Sequence, residues 1–302
     1  MAKVLASGKT PAGTHRPIMV REILEVLRPQ PGELAADCTV GYGGHAVAIL
    51  TALQPGGRLV ALDIDPIELP KTEARLRALG FGPETFTTHL SNYAGLAKVL
   101  PEPVDLVLAD LGVSSMQLDD PERGFTFKHD GPLDLRMNPR RGKPASALLA
   151  MIDEDALARL LLENSDEPNA AALAQAILRK PVTTTGGLAA AVRSARGDDD
   201  AVRRVFQALR IAVNDEFGAL DAFLRNLPLC LKPGGRAAVL TFHSGEDRRV
   251  KKAFQAGERG GVYEEAAREV IRASAEERRA NPRSSSAKLR WARRSCYAPV
   301  DV

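Results

Sequence analysis

Cysteine is scarce in this chain of 302 residues, and Cys38, Cys230 and Cys296 lie far apart without C-x-x-C spacing. That scarcity argues against a disulfide framework and against a thiolate metal site. Long apolar runs are lacking as well. None approaches the roughly 20 residues that span a bilayer, and Met1-Ala-Lys opens no apolar secretory segment, so a cytoplasmic protein without a membrane is expected. The five histidines, at 15, 45, 89, 129 and 243, show no metal-ligand spacing, and no metal is expected. There is no internal repeat, and low complexity is confined to Asp198-Asp199-Asp200, a helix-capping or solvent run. Without a G-x-S-x-G elbow, His243-Ser244 reads as a strand-end pair rather than part of a hydrolase.

What is present is the composition of a soluble globular protein, 44% hydrophobic and 26% charged, long enough for one large domain or two modest ones. The net charge of +3 conceals an asymmetry, because residues 248–294 carry 14 Lys plus Arg against 6 Asp plus Glu, a local +8. Such a segment suits the neutralisation of nucleic-acid phosphates, and Lys251, Lys252, Arg283, Lys288 and Arg290 are the expected contacts. A solvated helix face is the alternative.

The most informative stretch is Asp37-Cys-Thr-Val-Gly-Tyr-Gly-Gly-His-Ala46. A short apolar strand over 34–40 runs into a turn in which Gly41, Gly43 and Gly44 let the backbone approach a ligand closely, and a helix follows. A second strand over 58–65 carries Asp63 about 20 residues beyond the glycines, where an acid accepts hydrogen bonds from ribose hydroxyls. Strand, glycine turn, helix, strand and acid make one nucleotide-binding βαβ unit. Gly41-x-Gly43-x-x-Ala46 also fits a dinucleotide fingerprint, which keeps an NAD-dependent oxidoreductase open. Asp37 argues the other way, because a carboxylate at the head of the loop repels a pyrophosphate but accepts from the ammonium of S-adenosylmethionine.

Further strands are legible over 86–90, 105–112 and 236–243, the last entered through Lys232-Pro233-Gly234-Gly235, and 288–295 (KLRWARRS) reads as a strand closing the sheet. Helical patterns at 17–27, 44–53, 66–79 and 92–99 alternate with them. The expected fold class is therefore α/β, a mostly parallel sheet with ligands at the carboxyl ends of its strands. The connection from 112 to 236 is too long for one crossover, so residues 113–200 read as an inserted helical domain with helices at 153–163, 168–178 and 184–195. Residues 1–112 and 201–302 make the cofactor domain, and 201–227 forms one helix returning to the sheet, with Val202, Val205, Leu209, Val213, Phe217, Leu220 and Leu224 on one face.

His15-Arg-Pro-Ile-Met, DCTVGYGGH, residues 110–137, FQALRIAVNDE at 206–216, LKPGGRAAVLTFHS at 231–244 with Glu246-Asp247-Arg248, and NPRSSSAKLR at 281–290 together resemble the bacterial 16S ribosomal RNA (cytosine-N4)-methyltransferase family. The resemblance runs in order from about residue 15 to residue 294. It implies a Rossmann-like methyltransferase sheet with an inserted substrate-recognition domain, S-adenosylmethionine as cofactor, and 16S rRNA or the small ribosomal subunit as partner. By motif position it assigns Gly43, Gly44, His45, Asp63, Tyr93, Asp110 and Gln117 to the cofactor pocket. Asp110 is also the candidate for orienting the cytosine amine, ahead of Ser114, Ser115 and Asp134. The chain departs from the family at Tyr42 and Ser285, where glycine and arginine are usual, and at Gly245, where leucine is. An RNA-binding assembly factor that keeps the cofactor fold without catalysis is the third reading, and the sequence does not separate monomer from homodimer.

Overall fold

Near-continuous apolar strands that end in an acid form the centre of the molecule, as expected of strands covered on both faces. The computed structural model describes residues 16–196 and 198–297, so His15 of the first motif lies outside the described residues. Strands β1 (Leu34–Asp37), β2 (Arg58–Asp63), β3 (Phe86–Leu90), β4 (Val104–Asp110), β5 (Leu231–Thr241), β6 (Tyr263–Ala266) and β7 (Lys288–Arg294) form one sheet in the order β3-β2-β1-β4-β5-β7-β6. β1 to β5 pair in parallel, while β7 runs antiparallel to both β5 and β6. The helices are α1 (Val20–Leu27), α2 (Gly44–Leu53), α3 (Leu69–Ala78), α4 (Leu96–Val99), α5 (Ser115–Asp119), α6 (Ala145–Leu149), α7 (Glu154–Ser165), α8 (Ala170–Leu178), α9 (Thr185–Arg196), α10 (Asp199–Asn214), α11 (Glu216–Cys230), α12 (Ser244–Arg259) and α13 (Ala275–Ala280). None of the described helices is long and apolar enough to cross a membrane.

The chain divides into two units: residues up to Gly112 with those from Leu220 onward, and Val113–Ala219. In the first, alternate strand residues face opposite ways. Ala36, Val60, Leu62, Val107, Ala109 and Val239 pack with Leu220, Phe223, Leu224 and Leu227 of α11 and Phe254 of α12. Ala35, Leu59, Ala61, Leu106, Leu108 and Leu240 pack with Ile23 and Leu27 of α1, Ile49 and Leu50 of α2, and Leu76 of α3. Every strand expected from the sequence is present. Lys232-Pro233-Gly234-Gly235 lies inside β5 rather than before it, as an irregularity that lets Leu231 pair with Val104 and Arg236 with Leu106. Trp291 is a half-buried member of β7.

In the second unit, α7 packs against α8 and α10, and α9 against α8 and α10. Asp198 caps α10 by accepting from the Ala201 amide at 2.6 Å, the capping role expected of the aspartate run. The expected single helix over 201–227 is two helices, and the second unit extends past 200 to Ala219. Asp215, at φ 48°, ends α10, and the apolar face is shared between two cores: Val202, Val205 and Leu209 are fully buried in α10, whereas Leu220 and Leu224 of α11 belong to the sheet's core. Asn164 Nδ2 donating to the Ala208 carbonyl at 3.1 Å and Arg204 paired with buried Glu167 at 2.6 Å fasten α10 to its neighbours.

Candidate functional site

The strand order reverses at β1, which has β2 on one side and β4 on the other, and the carboxyl ends of strands beside such a reversal form a ligand crevice. Three acids stand there. Asp37 ends β1, Asp63 ends β2 and Asp110 ends β4. Asp37 is 1% exposed; its Oδ1 accepts from the Thr39 amide at 3.1 Å, and its Oδ2 is buried with no hydrogen-bond partner. Burial raises its carboxyl to about 7, with His45 opposing the rise and Asp110 and Asp63 adding to it. Asp63 accepts from the Gly41 amide on Oδ2 and the Asp65 amide on Oδ1, both at 2.8 Å, and burial raises it to about 6. Asp110 is raised to about 7 by burial and by the nearby Glu246.

Between β1 and α2 the turn is fixed from several directions. The Gly43 amide donates to the Val40 carbonyl at 2.7 Å, and Gly43 itself, at φ 91°, is the residue from which α2 starts. A Cβ on Gly44 would sit 2.8 Å from the Pro17 ring, so only glycine lets the two segments approach. Thr72 of α3 donates to the Gly41 carbonyl. Arg75, one turn on, donates to the Tyr42 carbonyl at 3.3 Å and to Glu68 at 2.7 Å, and its guanidinium lies 3.8 Å from the centroid of the Tyr42 ring. The bulky residue that departs from the family pattern is thus held against α3. Thr72 and Arg75 carry no motif signal, because their contacts with the loop span about 30 residues of sequence.

His45 opens α2 and is oriented by its Nε2, which is 2.8 Å from the Ile18 carbonyl. A carbonyl only accepts, so Nε2 carries the proton, and Nδ1 faces Asp110 Oδ2 at 3.5 Å. Burial lowers His45 and raises Asp110, so it favours the neutral form of each. Thr39 ties β1 to β4 at this point, its Oγ1 accepting from the Asp110 amide at 2.7 Å. Tyr93 begins a 3-10 turn after β3, half-buried and edge-on to Phe223 at 5.6 Å.

Gly43, Gly44, His45, Asp63 and Asp110 therefore come together around one turn, and Tyr93 follows β3, the strand paired with the one that Asp63 ends. Gln117 lies in the second unit, where its Oε1 accepts from the Ser114 amide at 3.0 Å and Ser114 Oγ accepts from the Gln117 amide, a capping box for α5. Ser115 is the first residue of that helix. Asp134 is a poor proton acceptor: against the burial that would raise it, the hydrogen bonds and charge of Arg136 hold it below the usual carboxylate range.

Two of the five expected phosphate contacts in the basic segment are engaged within the protein. Arg290 is 5% exposed, with Nε on Asp247 at 2.6 Å, and Lys288 reaches the same carboxylate at 3.3 Å, so neither presents itself to phosphates. Lys251 and Lys252 are exposed on α12, and Arg283 is exposed beside Ser285.

The chain matches the model of the MraW methylase family over residues 12–295. The ribosomal RNA small subunit methyltransferase H 2 of Alkaliphilus metalliredigens is 50% identical over an alignment of 309 positions, covering 97% of this chain and 88% of that protein. The ribosomal RNA small subunit methyltransferase H of Acidobacterium capsulatum is 40% identical, covering 92% of this chain and 97% of that one. Among solved structures, a putative rRNA methylase from Clostridium thermocellum aligns at a TM-score of 0.46 and 12% identity, over 93% of this chain and 98% of the other.

Proposed function

Because the chain belongs to the MraW methylase family, we infer that it is an rRNA methyltransferase, transferring a methyl group from S-adenosylmethionine to the exocyclic N4 amine of a cytosine in the RNA of the small ribosomal subunit. The observation that carries this reading is the buried Oδ2 of Asp37, an acceptor without a partner at the head of a glycine turn. Such an atom suits a ligand that brings positive charge and N–H donors, and it opposes a pyrophosphate. The NAD reading falls on the same atom and on the family membership. Asp63, whose carboxylate keeps lone pairs beyond the two amides it accepts, suits a pair of ribose hydroxyls. Tyr93 offers an apolar face for an adenine. Gln117 stands as a polar contact by motif position.

When bound, S-adenosylmethionine supplies a methyl group already activated on a sulfonium, so the chain has to bind, orient and exclude water rather than generate a strong base. Cytosine's amine is delocalised into its ring. An acceptor for one of its N–H bonds localises the lone pair, and ionised Asp110 is the group we assign to that task. The helical unit, Val113–Ala219, is assigned recognition of the RNA.

The test is mass spectrometry of nucleosides from small subunits incubated with the protein and labelled S-adenosylmethionine. Labelled N4-methylcytidine is expected. Binding of S-adenosylhomocysteine and subunits without incorporation would instead indicate an assembly factor, and binding of NADH in its place an oxidoreductase.

A further inference from the structure

In the second unit, residues 133–145 form a loop that is exposed at its tip and held rigidly at its base. The Met137 amide donates to Asn214 Oδ1 at 2.7 Å, and Asn214 Nδ2 donates to the Leu135 carbonyl at 2.8 Å. Arg123, 9% exposed, donates to the Met137 carbonyl at 2.8 Å. The Ala145 amide closes the loop on the Asp134 carbonyl at 2.8 Å. Leu133 and Leu135 are each 1% exposed, and Leu135 is held at φ 64°, a conformation that leucine keeps only where its surroundings enforce it. A Cβ on Gly124 would collide with the Pro132 carbonyl at 2.5 Å, so the Arg123-Gly124 pair is shaped to the back of the same loop.

On this frame the tip projects Arg140, Arg141 and Lys143, all exposed. The Arg140 and Arg141 amides bond back to Asn138, which is 8% exposed, and fix the turn between them and the frame. The loop's one acid, Asp134, is committed to Arg136 at 2.7 Å. Among the described residues, no carboxylate comes within ion-pair distance of Arg140, Arg141 or Lys143. Like charges gathered without counterions repel one another, and a polyanion relieves that repulsion while the frame has already met most of the ordering cost.

We propose that the 136–143 tip is a docking platform for the RNA phosphate backbone, with Arg140, Arg141 and Lys143 each facing a phosphate. This rests on the rRNA methyltransferase reading and adds where the RNA is gripped. The contacts position the strand and carry no base identity. Guanidinium groups suit them, because their planar donors match phosphate oxygens in pairs.

The experiment measures binding of a fluorescein-labelled single-stranded RNA, and of small ribosomal subunits, across a salt series. The variant R140A/R141A/K143A is expected to flatten the slope of log K against log salt by about 2 on the single strand, since each phosphate contact contributes about 0.7. Affinity for S-adenosylhomocysteine stays at the wild-type value. R140K/R141K keeps the wild-type slope, because charge is conserved. A wild-type slope in the triple alanine variant, or its transfer to K251A/K252A/R259A on the exposed face of α12, overturns the platform while leaving the methyltransferase reading intact. Wild-type protein that binds S-adenosylhomocysteine but neither RNA nor subunits overturns both. A flattened slope without methyl incorporation sustains the platform and removes the catalysis.

Discussion

Replacing Asp37 by asparagine separates what the cofactor site does for binding from what it costs the fold. The carboxyl is 1% exposed, receives a hydrogen bond from the Thr39 amide and lies near Asp63 and Asp110. Its rise from 3.8 to about 7 means that the fold favours the protonated form. Below about pH 4 folded and unfolded chains are both protonated there, so the full stability is present. As pH climbs toward 7 the unfolded chain releases a proton that the folded chain retains, and stability falls by about 1.4 kcal/mol per pH unit, to a ceiling of about 4 kcal/mol. The neutral amide of the variant escapes that loss but leaves N–H donors in the place of Oδ2, at a pH-independent cost of about 1–3 kcal/mol. Asp37→Asn is therefore expected to be less stable than wild type at pH 4 and more stable at pH 8, crossing between about pH 5 and 6. Its affinity for S-adenosylhomocysteine at pH 8 should fall about tenfold to a hundredfold, the loss of one charge-assisted contact. Denaturant titrations at each pH and calorimetry at pH 8 measure the two effects. A stability difference that does not vary with pH, or an unchanged dissociation constant, refutes the reasoning.

Asp63→Ala is expected to weaken S-adenosylhomocysteine about tenfold to a hundredfold in calorimetry, and also to lower the denaturation midpoint, because the Gly41 and Asp65 amides lose their acceptor. For Asp110→Asn, single-turnover methylation should drop more than S-adenosylhomocysteine affinity, and equal losses would make the acid a cofactor ligand only. With Arg75→Ala the turn loses its brace, so S-adenosylhomocysteine should bind several-fold more weakly, and Tyr42→Gly added to that variant should cost less than Tyr42→Gly alone. Additive losses in that double-mutant cycle would show that the ring and the guanidinium act separately.

The parallel core was legible because its strands are apolar on both faces and short polar turns mark their ends; β1, β2 and β4 each stop at an aspartate. The same regularity brought Asp37, Asp63, Asp110, Gly43, Gly44 and His45 to one crevice, since carboxyl ends of neighbouring parallel strands lie side by side. Strand β6 was not legible. Tyr263-Glu-Glu-Ala266 is four residues long with two exposed acids, and it exists through pairing with β7 about 30 residues away. The break at Asp215 was hidden for a different reason. Val202 to Leu224 keep one helical face throughout, so periodicity continues across a point where the chain passes from one core to another. Thr39, Thr72 and Arg75 brace the site through contacts distant in sequence, which no local spacing encodes.

Charge counting along the sequence overlooks the ion pairs that the fold imposes. Part of the local +8 of residues 248–294 is committed internally: Arg290 and Lys288 share Asp247, Arg293 divides between Glu264 and Glu265, and Arg249 reaches Asp221. Asp221 lies outside the counted segment, as does Asp247, so the sum credited cations whose partners it had left out. Held in place at an ion pair, a guanidinium contributes little field to an arriving phosphate. Arg140, Arg141 and Lys143 make a smaller sum over a shorter stretch, but their charge is uncompensated and their loop is already ordered. What draws a polyanion is the unpaired, preorganised charge. By that measure the turn between Asn138 and Lys143 outranks Arg290 and Lys288, which the sequence made conspicuous.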